Sequence, residues 1–294
     1  MNLARFIKRN AQRAEGAPSV YLGKTSKRTH GEIARRVAGL AGALNREFGL
    51  KRGDRVAICM GNYPEYLEVL FAAWWAGLTA VPINHKLHFR EVDFILEDSG
   101  ASLCFCSAEL ASRLIALANG RSAPPNYVDI ESQQGGVLMN AEPLPIRRVH
   151  HSEPAWLFYT SGTTGKPKGA VLSHRNLTAM ILGYLADIDS IGDGDRWLVA
   201  APFSHGCGLY ALPFVAKGCP LVFPESGGFK AGEVIELINA HPGLSSFFVP
   251  TMIKRLLDDP AIGQIKLQNL KIIVYGGGPM YVEDCLRALD VLGP

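Results

Sequence analysis

The chain of 294 residues lacks any apolar run long enough to cross a bilayer. Its longest apolar stretch, residues 69–81, has about thirteen residues, whereas a membrane-spanning helix needs roughly 20. Residues 1–16 contain no apolar core of signal-peptide length. We therefore predict no transmembrane segment and interpret residues 1–16 as part of the fold.

The cysteines lack the spacing of a disulfide framework or of a zinc site. Six are spread along the chain without a CXXC pair, which is typical of reduced, cytoplasmic proteins. His85 and His88 have the separation of a metal-binding pair and Cys104 with Cys106 could supply two further ligands, but neither spacing matches a known zinc pattern. We therefore predict a cytoplasmic protein and no metal ligands.

The sequence also lacks a strong charge of either sign. Thirty Lys and Arg residues against 27 Asp and Glu residues give a net charge of +3, which is too balanced to predict nucleic acid as the main partner. Apolar residues make up 48% of the chain and charged residues 19%, which excludes a disordered or fibrous protein. The composition therefore indicates an enzyme-sized protein with a sizeable core.

Predicted strands alternate with predicted helices along most of the chain. Pro64 begins one helix, which ends near Gly77 and is followed by a strand that reaches Val81. Strands that alternate with helices of ten or more residues favour parallel sheets covered by helices on both faces, an α/β fold. The other predicted strands lie at 56–60, 102–106, 126–130, 196–200, 220–223, 245–249 and 271–275, and the other helices at 33–48, 90–98, 107–118 and 174–186.

A stretch that contains several Pro and Gly residues, 119–153, interrupts this alternation. It includes the Gln-Gln-Gly-Gly run at 133–136, and clusters of this kind mark turns and loops. We therefore interpret it as a connecting segment and place two subdomains at residues 1–118 and 154–294.

The segment FYTSGTTGKPKGAVLSH at residues 158–174 predicts a phosphate-binding loop. A phosphate chain needs donors that approach closely and cations that neutralise its charge, and glycines remove side chains that would block backbone N–H groups. Strand-like residues stand on both sides, which is unlike a flexible linker. The candidate ligands are the hydroxyls of Thr160, Ser161, Thr163 and Thr164, the backbone at Gly162, Gly165 and Gly169, and the ammonium groups of Lys166 and Lys168.

Three other nucleotide or metal motifs are excluded by spacing. A Walker A loop needs four residues between its glycines, but only two separate Gly162 from Gly165. The glycine run at 276–278 would need a further glycine where Tyr281 stands to bind a dinucleotide. The aspartates at 187–189 do not begin a calcium loop, because the later ligand positions are apolar.

TSGTTGKPKG at residues 160–169 resembles the phosphate-loop signature of the adenylate-forming superfamily, which includes acyl-CoA ligases, aryl-CoA ligases, luciferases and peptide-synthetase adenylation domains. Three further stretches match in the expected order. Residues 53–62 resemble the family's first strand and turn, 201–205 the segment whose histidine lines the acyl pocket, and 275–280 the turn that contacts adenine. The resemblance implies two mostly parallel, stacked sheets flanked by helices, with residues 1–294 forming an AMP-binding N-terminal domain.

The resemblance also implies a two-step reaction with ATP, Mg²⁺ and CoA. A substrate carboxylate attacks the α-phosphorus of Mg·ATP, giving an acyl-adenylate and pyrophosphate, and the CoA thiol then forms the thioester and releases AMP. The loop 160–169 is expected to hold the β- and γ-phosphates, with Lys168 and Thr163 as catalytic residues. His205 is the third expected catalytic residue, at the boundary between the acyl pocket and the nucleotide, where it orients the carboxylate or gates the pocket. The expected adenine contacts are Gly276, Gly277, Gly278 and Pro279.

Several family elements are not in this sequence. The resemblance implies a Tyr-Gly-x-Thr-Glu-like segment with an acidic residue for Mg²⁺, a ribose-binding aspartate, a hinge, and a C-terminal domain with the lysine of the adenylation step, none of which is present. We therefore interpret the chain as an N-terminal portion of an acyl-CoA ligase, incomplete at its C-terminal end, that is inactive or only partly active by itself.

The segment 203–214 indicates the class of acid. It offers small and apolar walls and no cation for a second carboxylate, which favours a monocarboxylic fatty or aromatic acid, as in fatty acid metabolism. Two alternatives stay open: an adenylation enzyme that loads a carrier-protein thiol, and a non-catalytic truncated module that binds a nucleotide or an acyl group.

Overall fold

The computed structural model describes residues 1–117, 124–130, 132–160 and 166–294. The chain forms two compact units, each built around a six-stranded sheet. The first unit comprises residues 1–16, 30–61 and 65–180, and the second comprises residues 17–29, 62–64 and 181–294. Within the described ranges, no helix combines the length and the apolarity that crossing a membrane requires.

The strands and helices are numbered here in chain order. The strands are β1 (Pro18–Leu22), β2 (Thr25–Thr29), β3 (Arg55–Cys59), β4 (Thr79–Pro82), β5 (Leu103–Cys106), β6 (Asn126–Val128), β7 (Pro154–Thr160), β8 (Lys168–Ser173), β9 (Arg196–Leu198), β10 (Leu221–Phe223), β11 (Leu244–Phe248) and β12 (Leu270–Tyr275). The helices are α1 (Arg5–Arg13), α2 (His30–Arg46), α3 (Pro64–Trp75), α4 (Phe89–Ser99), α5 (Ala108–Leu117), α6 (Gln133–Met139), α7 (His174–Asp187), α8 (Gly206–Lys217), α9 (Ala231–Ala240), α10 (Pro250–Leu257) and α11 (Val282–Leu292).

The first unit has the strand order β6-β5-β3-β4-β7-β8. Neighbouring strands are parallel except β7 and β8, which form an antiparallel hairpin at one edge. Every residue of β4 and β5 is buried, as expected for parallel strands with both faces covered. Val81 and Cys104 pack with Ile95 and Leu96 of α4 in one hydrophobic cluster, which fixes α4 against the sheet.

The second unit has the strand order β12-β11-β9-β10-β1-β2, with only β1 and β2 antiparallel. One of its hydrophobic clusters contains Val222 and Phe248 of the sheet together with Val234 and Leu256 of two helices. The prediction of two mostly parallel sheets flanked by helices is confirmed.

The predicted connecting segment differs from the observed structure. Residues 126–128 form β6, which pairs with β5, and residues 133–139 form α6, so the described part of 119–153 belongs to the first unit. Gly135 lies where a Cβ would overlap the carbonyl of Ile130. Gly135 therefore permits close packing, and the unit boundaries do not coincide with 118 and 154.

The β1–β2 hairpin was absent from the sequence prediction. Gly23 adopts the left-handed backbone conformation with φ of 57° at its turn, which glycine adopts without steric cost. β2 is an exposed edge strand with the sequence TSKRT. It therefore lacks the alternation of apolar and polar residues by which strands are recognised.

Candidate functional site

The β7–β8 hairpin carries the two ends of the predicted phosphate loop. Thr160 is paired with Lys168 in the register of the strands, and both residues are exposed. The antiparallel ladder therefore brings a hydroxyl and an ammonium side chain to the same end of the hairpin. The predicted site residues between them, Ser161, Gly162, Thr163, Thr164 and Gly165, lie outside the described residues.

Tyr159 explains the glycine at position 169. The two residues are partners in the ladder, and a Cβ at Gly169 would lie 2.9 Å from Cζ of the Tyr159 ring. A contact that short cannot exist without movement of the ring, so position 169 requires glycine to accommodate the tyrosine. This differs from the reason predicted for Gly169 from the sequence, which was access to its backbone N–H.

Helix α4 contacts both arms of the hairpin. The hydroxyl of Tyr159 donates to Oδ2 of Asp98 at 2.6 Å, and Nζ of Lys166 lies 5.7 Å from the centroid of the Phe94 ring. Phe94 and Asp98 are four residues apart on α4 and therefore share one face of the helix. Burial and the hydrogen bond to Asp98 raise the pKa of Tyr159, so its hydroxyl stays protonated as a donor.

The ends of α4 are fixed by local hydrogen bonds. The backbone N–H of Arg90 donates to Nδ1 of His88, and the N–H of His88 donates to Glu91, which forms a capping box. Gly100 closes the helix with φ of 60°. His88, considered above for a metal pair, therefore caps a helix. Periodicity predicted this helix, but not that Phe94 and Asp98 face the hairpin.

His205 lies in the second unit, immediately before α8. Its Nδ1 lies 2.8 Å from Oγ of Ser204, and Ser204 is 4% exposed. Burial lowers the pKa of His205, because a low-dielectric surrounding disfavours the charged imidazolium. The imidazole is therefore neutral at physiological pH and can donate one hydrogen bond and accept another.

Phe247 of β11 connects two of the predicted site segments. A Cβ at Gly206 would lie 2.9 Å from Cζ of the Phe247 ring, and a Cβ at Gly276 would lie 3.4 Å from its Cε2. The ring therefore packs against both the start of α8, next to His205, and the turn that follows β12. Phe247 carries no signal in the sequence, because nothing in a Phe-Phe pair on a predicted strand shows which ring faces these glycines.

The turn at 276–279 has one position that requires glycine. Gly277 has φ of 82°, which side-chain-bearing residues adopt only with strain. The N–H of Gly276 donates to the carbonyl of Phe248 at 3.2 Å, so this donor is used within the sheet. Gly277, Gly278 and Pro279 are exposed. The backbone of 277–279 is thus exposed, whereas the N–H of Gly276 is bonded within the sheet.

Helix α8 contributes fewer wall residues than its sequence suggested. Cys207, Leu212 and Phe214 are buried in the core. Tyr210 is half-buried, and its ring centroid lies 5.6 Å from those of both Phe247 and Tyr184. Three aromatic rings therefore stand in series beside the Gly206 position.

The sequence of the chain matches that of a known protein family. The family described as "AMP-binding enzyme" matches residues 7–294. A feruloyl-CoA synthase from Amycolatopsis sp is 37% identical over 286 residues, which cover 96% of this chain and 55% of that protein. The fatty acid–[acyl-carrier-protein] ligase ScoC from Streptomyces coeruleorubidus is 31% identical over 273 residues, covering 89% of this chain and 51% of that protein. The chain spans about half the length of these curated relatives.

The fold is also that of a solved relative. The N-terminal domain of FACL13 from Mycobacterium tuberculosis superposes with a TM-score of 0.86 at 22% identity, covering 99% of this chain and 74% of that one. This likeness concerns the fold alone. Together with the family match over residues 7–294, it leads to one conclusion: the chain belongs to the AMP-binding enzyme family.

Proposed function

We propose that the chain is the nucleotide- and acid-binding part of an ATP-dependent acid–thiol ligase, an acyl-CoA synthetase. The carboxylate of the acid attacks the α-phosphorus of ATP, the bond to the β-phosphate oxygen breaks, and pyrophosphate leaves. The thiol of CoA then attacks the carbonyl of the acyl-adenylate, which forms the thioester and releases AMP. The observation that carries this proposal is the hairpin end that pairs Thr160 with Lys168 in a chain of the AMP-binding family.

The exposed end of the β7–β8 hairpin is assigned to binding pyrophosphate, the leaving group of the first step. Negative charge accumulates on the pyrophosphate as the acyl-adenylate forms, and fixed cations and donors lower the barrier most where charge develops. Lys168, the ladder partner of Thr160, and Lys166, two residues before it, supply two cations. The remaining predicted ligands at 161–165, including the proposed catalytic Thr163, complete this assignment.

His205 is assigned to binding the carboxylate of the acid substrate. A neutral imidazole can donate a hydrogen bond to a carboxylate without trapping it as an ion pair, so it orients the nucleophile while leaving it reactive. The turn at 276–279 is assigned to adenine, since its exposed backbone offers polar groups at the end of β12. Ligands bind at the carboxyl ends of parallel strands in open α/β sheets.

Mg²⁺ is proposed to accompany ATP. The part of the chain that the structure describes holds no group of three or more His, Cys, Asp or Glu side chains that could ligate a metal ion. When bound to the phosphates, the ion would neutralise charge there. We assign no step to it. A cytoplasmic location is also proposed, and the finding that all six cysteines are free supports it.

The acid is proposed to be monocarboxylic and aromatic. The half-buried ring of Tyr210, backed by the rings of Phe247 and Tyr184, suits a planar substrate, because aromatic rings gain from stacked and edge-to-face contacts. The relative named feruloyl-CoA synthase supports this choice. A fatty acid is the second candidate. The relative named for an acyl-carrier-protein ligase keeps a carrier-protein thiol as an alternative acceptor.

The test uses the complete product of the gene that contains this sequence. Pyrophosphate release is measured with ATP and a panel of cinnamic, benzoic and fatty acids, with and without CoA. Aromatic acids are expected to give the highest kcat/KM, and CoA is expected to yield a thioester. A preference for fatty acids would overturn the aromatic assignment. Nucleotide binding without pyrophosphate release for any acid would indicate a non-catalytic module instead.

A further inference from the structure

Asn62 holds an irregular segment of the second unit by three hydrogen bonds. Its amide nitrogen donates to the carbonyl oxygens of Val199 at 3.0 Å and Ala201 at 2.7 Å. Its amide oxygen accepts from the N–H of Phe203 at 3.0 Å. The side chain of Asn62 is therefore fully engaged by backbone groups between β9 and α8.

Water cannot replace these bonds. Asn62 is 2% exposed, and Val199, Ala201 and Phe203 are between 0% and 1% exposed. The backbone here lies beyond the end of β9 and before the start of α8, and although the N–H of Val199 still donates to the carbonyl of Val222 at 2.9 Å, Asn62 is the partner of the carbonyls of Val199 and Ala201 and of the N–H of Phe203. A buried backbone group without a partner loses its hydration with no compensation. The path of the segment therefore depends on Asn62.

Asn62 is itself anchored from a second loop. Its backbone N–H donates to the carbonyl of Gly227 at 3.1 Å. Gly227 has φ of 68°, and a Cβ there would lie 3.0 Å from the ring of Tyr63. The close approach of Tyr63 to Gly227 keeps the neighbouring asparagine in place.

The segment that Asn62 holds ends at His205. The N–H of His205 donates to the carbonyl of Pro202 at 3.2 Å, and its imidazole contacts the hydroxyl of Ser204. The geometry points to Asn62 as a positioning residue that sets where the His205 imidazole lies. This inference rests on the proposed role of His205 in orienting the carboxylate of the acid.

The substitution Asn62→Asp tests the inference while preserving side-chain shape. It replaces the amide donor with an oxygen that faces the two carbonyls of Val199 and Ala201. Even when this buried carboxyl group takes up a proton, its single O–H can donate to only one of the two carbonyls. One buried carbonyl then loses its bond to residue 62, and we expect the segment to move. His205 would move with it.

Asn2 provides a matched control in the first unit. It is also 2% exposed, donates to the carbonyls of Trp74 at 2.6 Å and Arg147 at 3.0 Å, and accepts from the N–H of Ala4 at 2.9 Å. Asn2→Asp therefore disturbs an equivalent set of bonds elsewhere. A loss of stability that both variants share comes from placing a carboxyl group at a buried site. An effect on His205 that only Asn62→Asp shows comes from the location of Asn62.

Two readouts separate position from stability. The first is the titration of the His205 ring followed by NMR, with the resonance assigned through a His205→Gln variant; we expect its titration midpoint to shift in Asn62→Asp but not in Asn2→Asp. The second is kinetics in the complete gene product. There kcat/KM for the acid is expected to fall about 10-fold or more relative to Asn2→Asp, since small misplacements of reacting groups have effects of this size.

The KM for ATP is the internal reference and is expected to stay within about 2-fold. Identical His205 titrations and identical acid kinetics in the two variants would overturn the inference. The NMR arm needs no substrate, so a shift that Asn62→Asp shares with the uncharged Asn62→Gln and that Asn2→Asp lacks supports positioning by Asn62 even if no acid is activated. Failure of every acid in the wild type would overturn the proposed function instead.

Two fallbacks apply if Asn62→Asp does not fold. Asn62→Gln keeps both donors and the acceptor on a longer side chain, and the same two readouts apply. If neither variant folds, hydrogen exchange of the Phe203 amide in the wild type decides. Strong protection of this N–H is expected, and exchange at the rate of an open loop would overturn the inference.

Discussion

The hairpin end in the first unit and the surroundings of Phe247 in the second unit carry their candidate chemistry in opposite ways. At the hairpin the relevant groups are side chains, and Thr160, Lys166 and Lys168 are exposed. Around Phe247 the relevant positions are glycines whose backbones approach an aromatic ring. A candidate site made of polar side chains can be predicted from the residue types in the sequence. A candidate site that depends on the space left by glycines cannot, because the sequence does not show which side chain fills that space.

The two regions also differ in what holds them. The arms of the hairpin are held from outside by Phe94 and Asp98, both on one face of α4. The His205 segment is held by hydrogen bonds from within the second unit, three of them made by the buried side chain of Asn62. Substitutions at the hairpin should therefore alter chemistry more than folding, and substitutions in the second region should alter both.

The largest expected effect comes from Lys168→Ala in the complete gene product. Acyl-adenylate formation should slow by about 10²- to 10³-fold, the usual result of removing one group that stabilises developing charge. Acid binding should change little, because the lysine is assigned to the phosphates. Single-turnover formation of the adenylate measures the first quantity, and equilibrium binding of the acid measures the second.

Lys27→Ala is the matched control for this prediction. Lys27 is also exposed and also stands on an edge strand, β2, so its removal changes net charge equally. It should leave adenylate formation unchanged. Equal losses of acid binding and adenylate formation in Lys168→Ala would remove the phosphate assignment.

The next largest expected effect is the dependence of the free energy of unfolding on pH, which arises from a buried histidine in the first unit. His174 is 1% exposed, and its Nδ1 accepts from the N–H of Leu3. Burial lowers its pKa to about 4 from an ordinary value near 6.5. Between these values the unfolded chain binds more protons, so the free energy of unfolding decreases as the pH falls, by about 3 kcal/mol in total.

Denaturant unfolding at pH 7 and pH 4 measures this decrease. His174→Gln removes the titrating group and should reduce the difference between the two pH values by about the same amount, although it lowers stability at pH 7. An unchanged pH dependence in His174→Gln would show that other groups govern acid unfolding of the first unit.

A pair of glycine substitutions tests the packing of the second region. Gly206→Ala places a Cβ 2.9 Å from the Phe247 ring, whereas a Cβ at Gly183 of α7 meets nothing within 4 Å. Gly206→Ala should lower the free energy of unfolding by about 1–3 kcal/mol through overpacking. Gly183→Ala should raise it by about 0.5–1 kcal/mol, because alanine favours a helix.

The KM for the acid should rise in Gly206→Ala and stay constant in Gly183→Ala. Adding Phe247→Leu to Gly206→Ala makes room for the new methyl group, so the double variant should recover part of the lost stability. The loss of unfolding free energy in the double variant is compared with the summed losses of the two single variants. If the double variant loses more, the Phe247 ring is not the group that requires glycine at 206.

Sequence alone predicted what depends on local pattern. Parallel strands such as β5 are buried runs of apolar residues, which the sequence pattern predicts. The phosphate-binding role of 160–169 stays a prediction that depends on the types of its side chains. The sequence did not predict α6, because glycine was interpreted as a linker residue where the fold uses it for close approach to Ile130. Contacts between distant parts of the chain, such as Asn62 with Phe203, leave no periodic signal at all.

The smallest expected effect compares two buried tyrosine hydroxyls, one in each unit. The hydroxyl of Tyr159 donates to Asp98 at 2.6 Å, whereas the buried hydroxyl of Tyr184 makes no hydrogen bond with the described residues. Tyr159→Phe should lower the free energy of unfolding by about 1 kcal/mol. Because it releases one arm of the hairpin from α4, it should also raise the KM for ATP. Tyr184→Phe removes only a desolvated polar group, so the stability of this variant should equal or exceed that of the wild type. If Tyr159→Phe and Tyr184→Phe lose the same amount of stability, the hydrogen bond to Asp98 does not hold the hairpin.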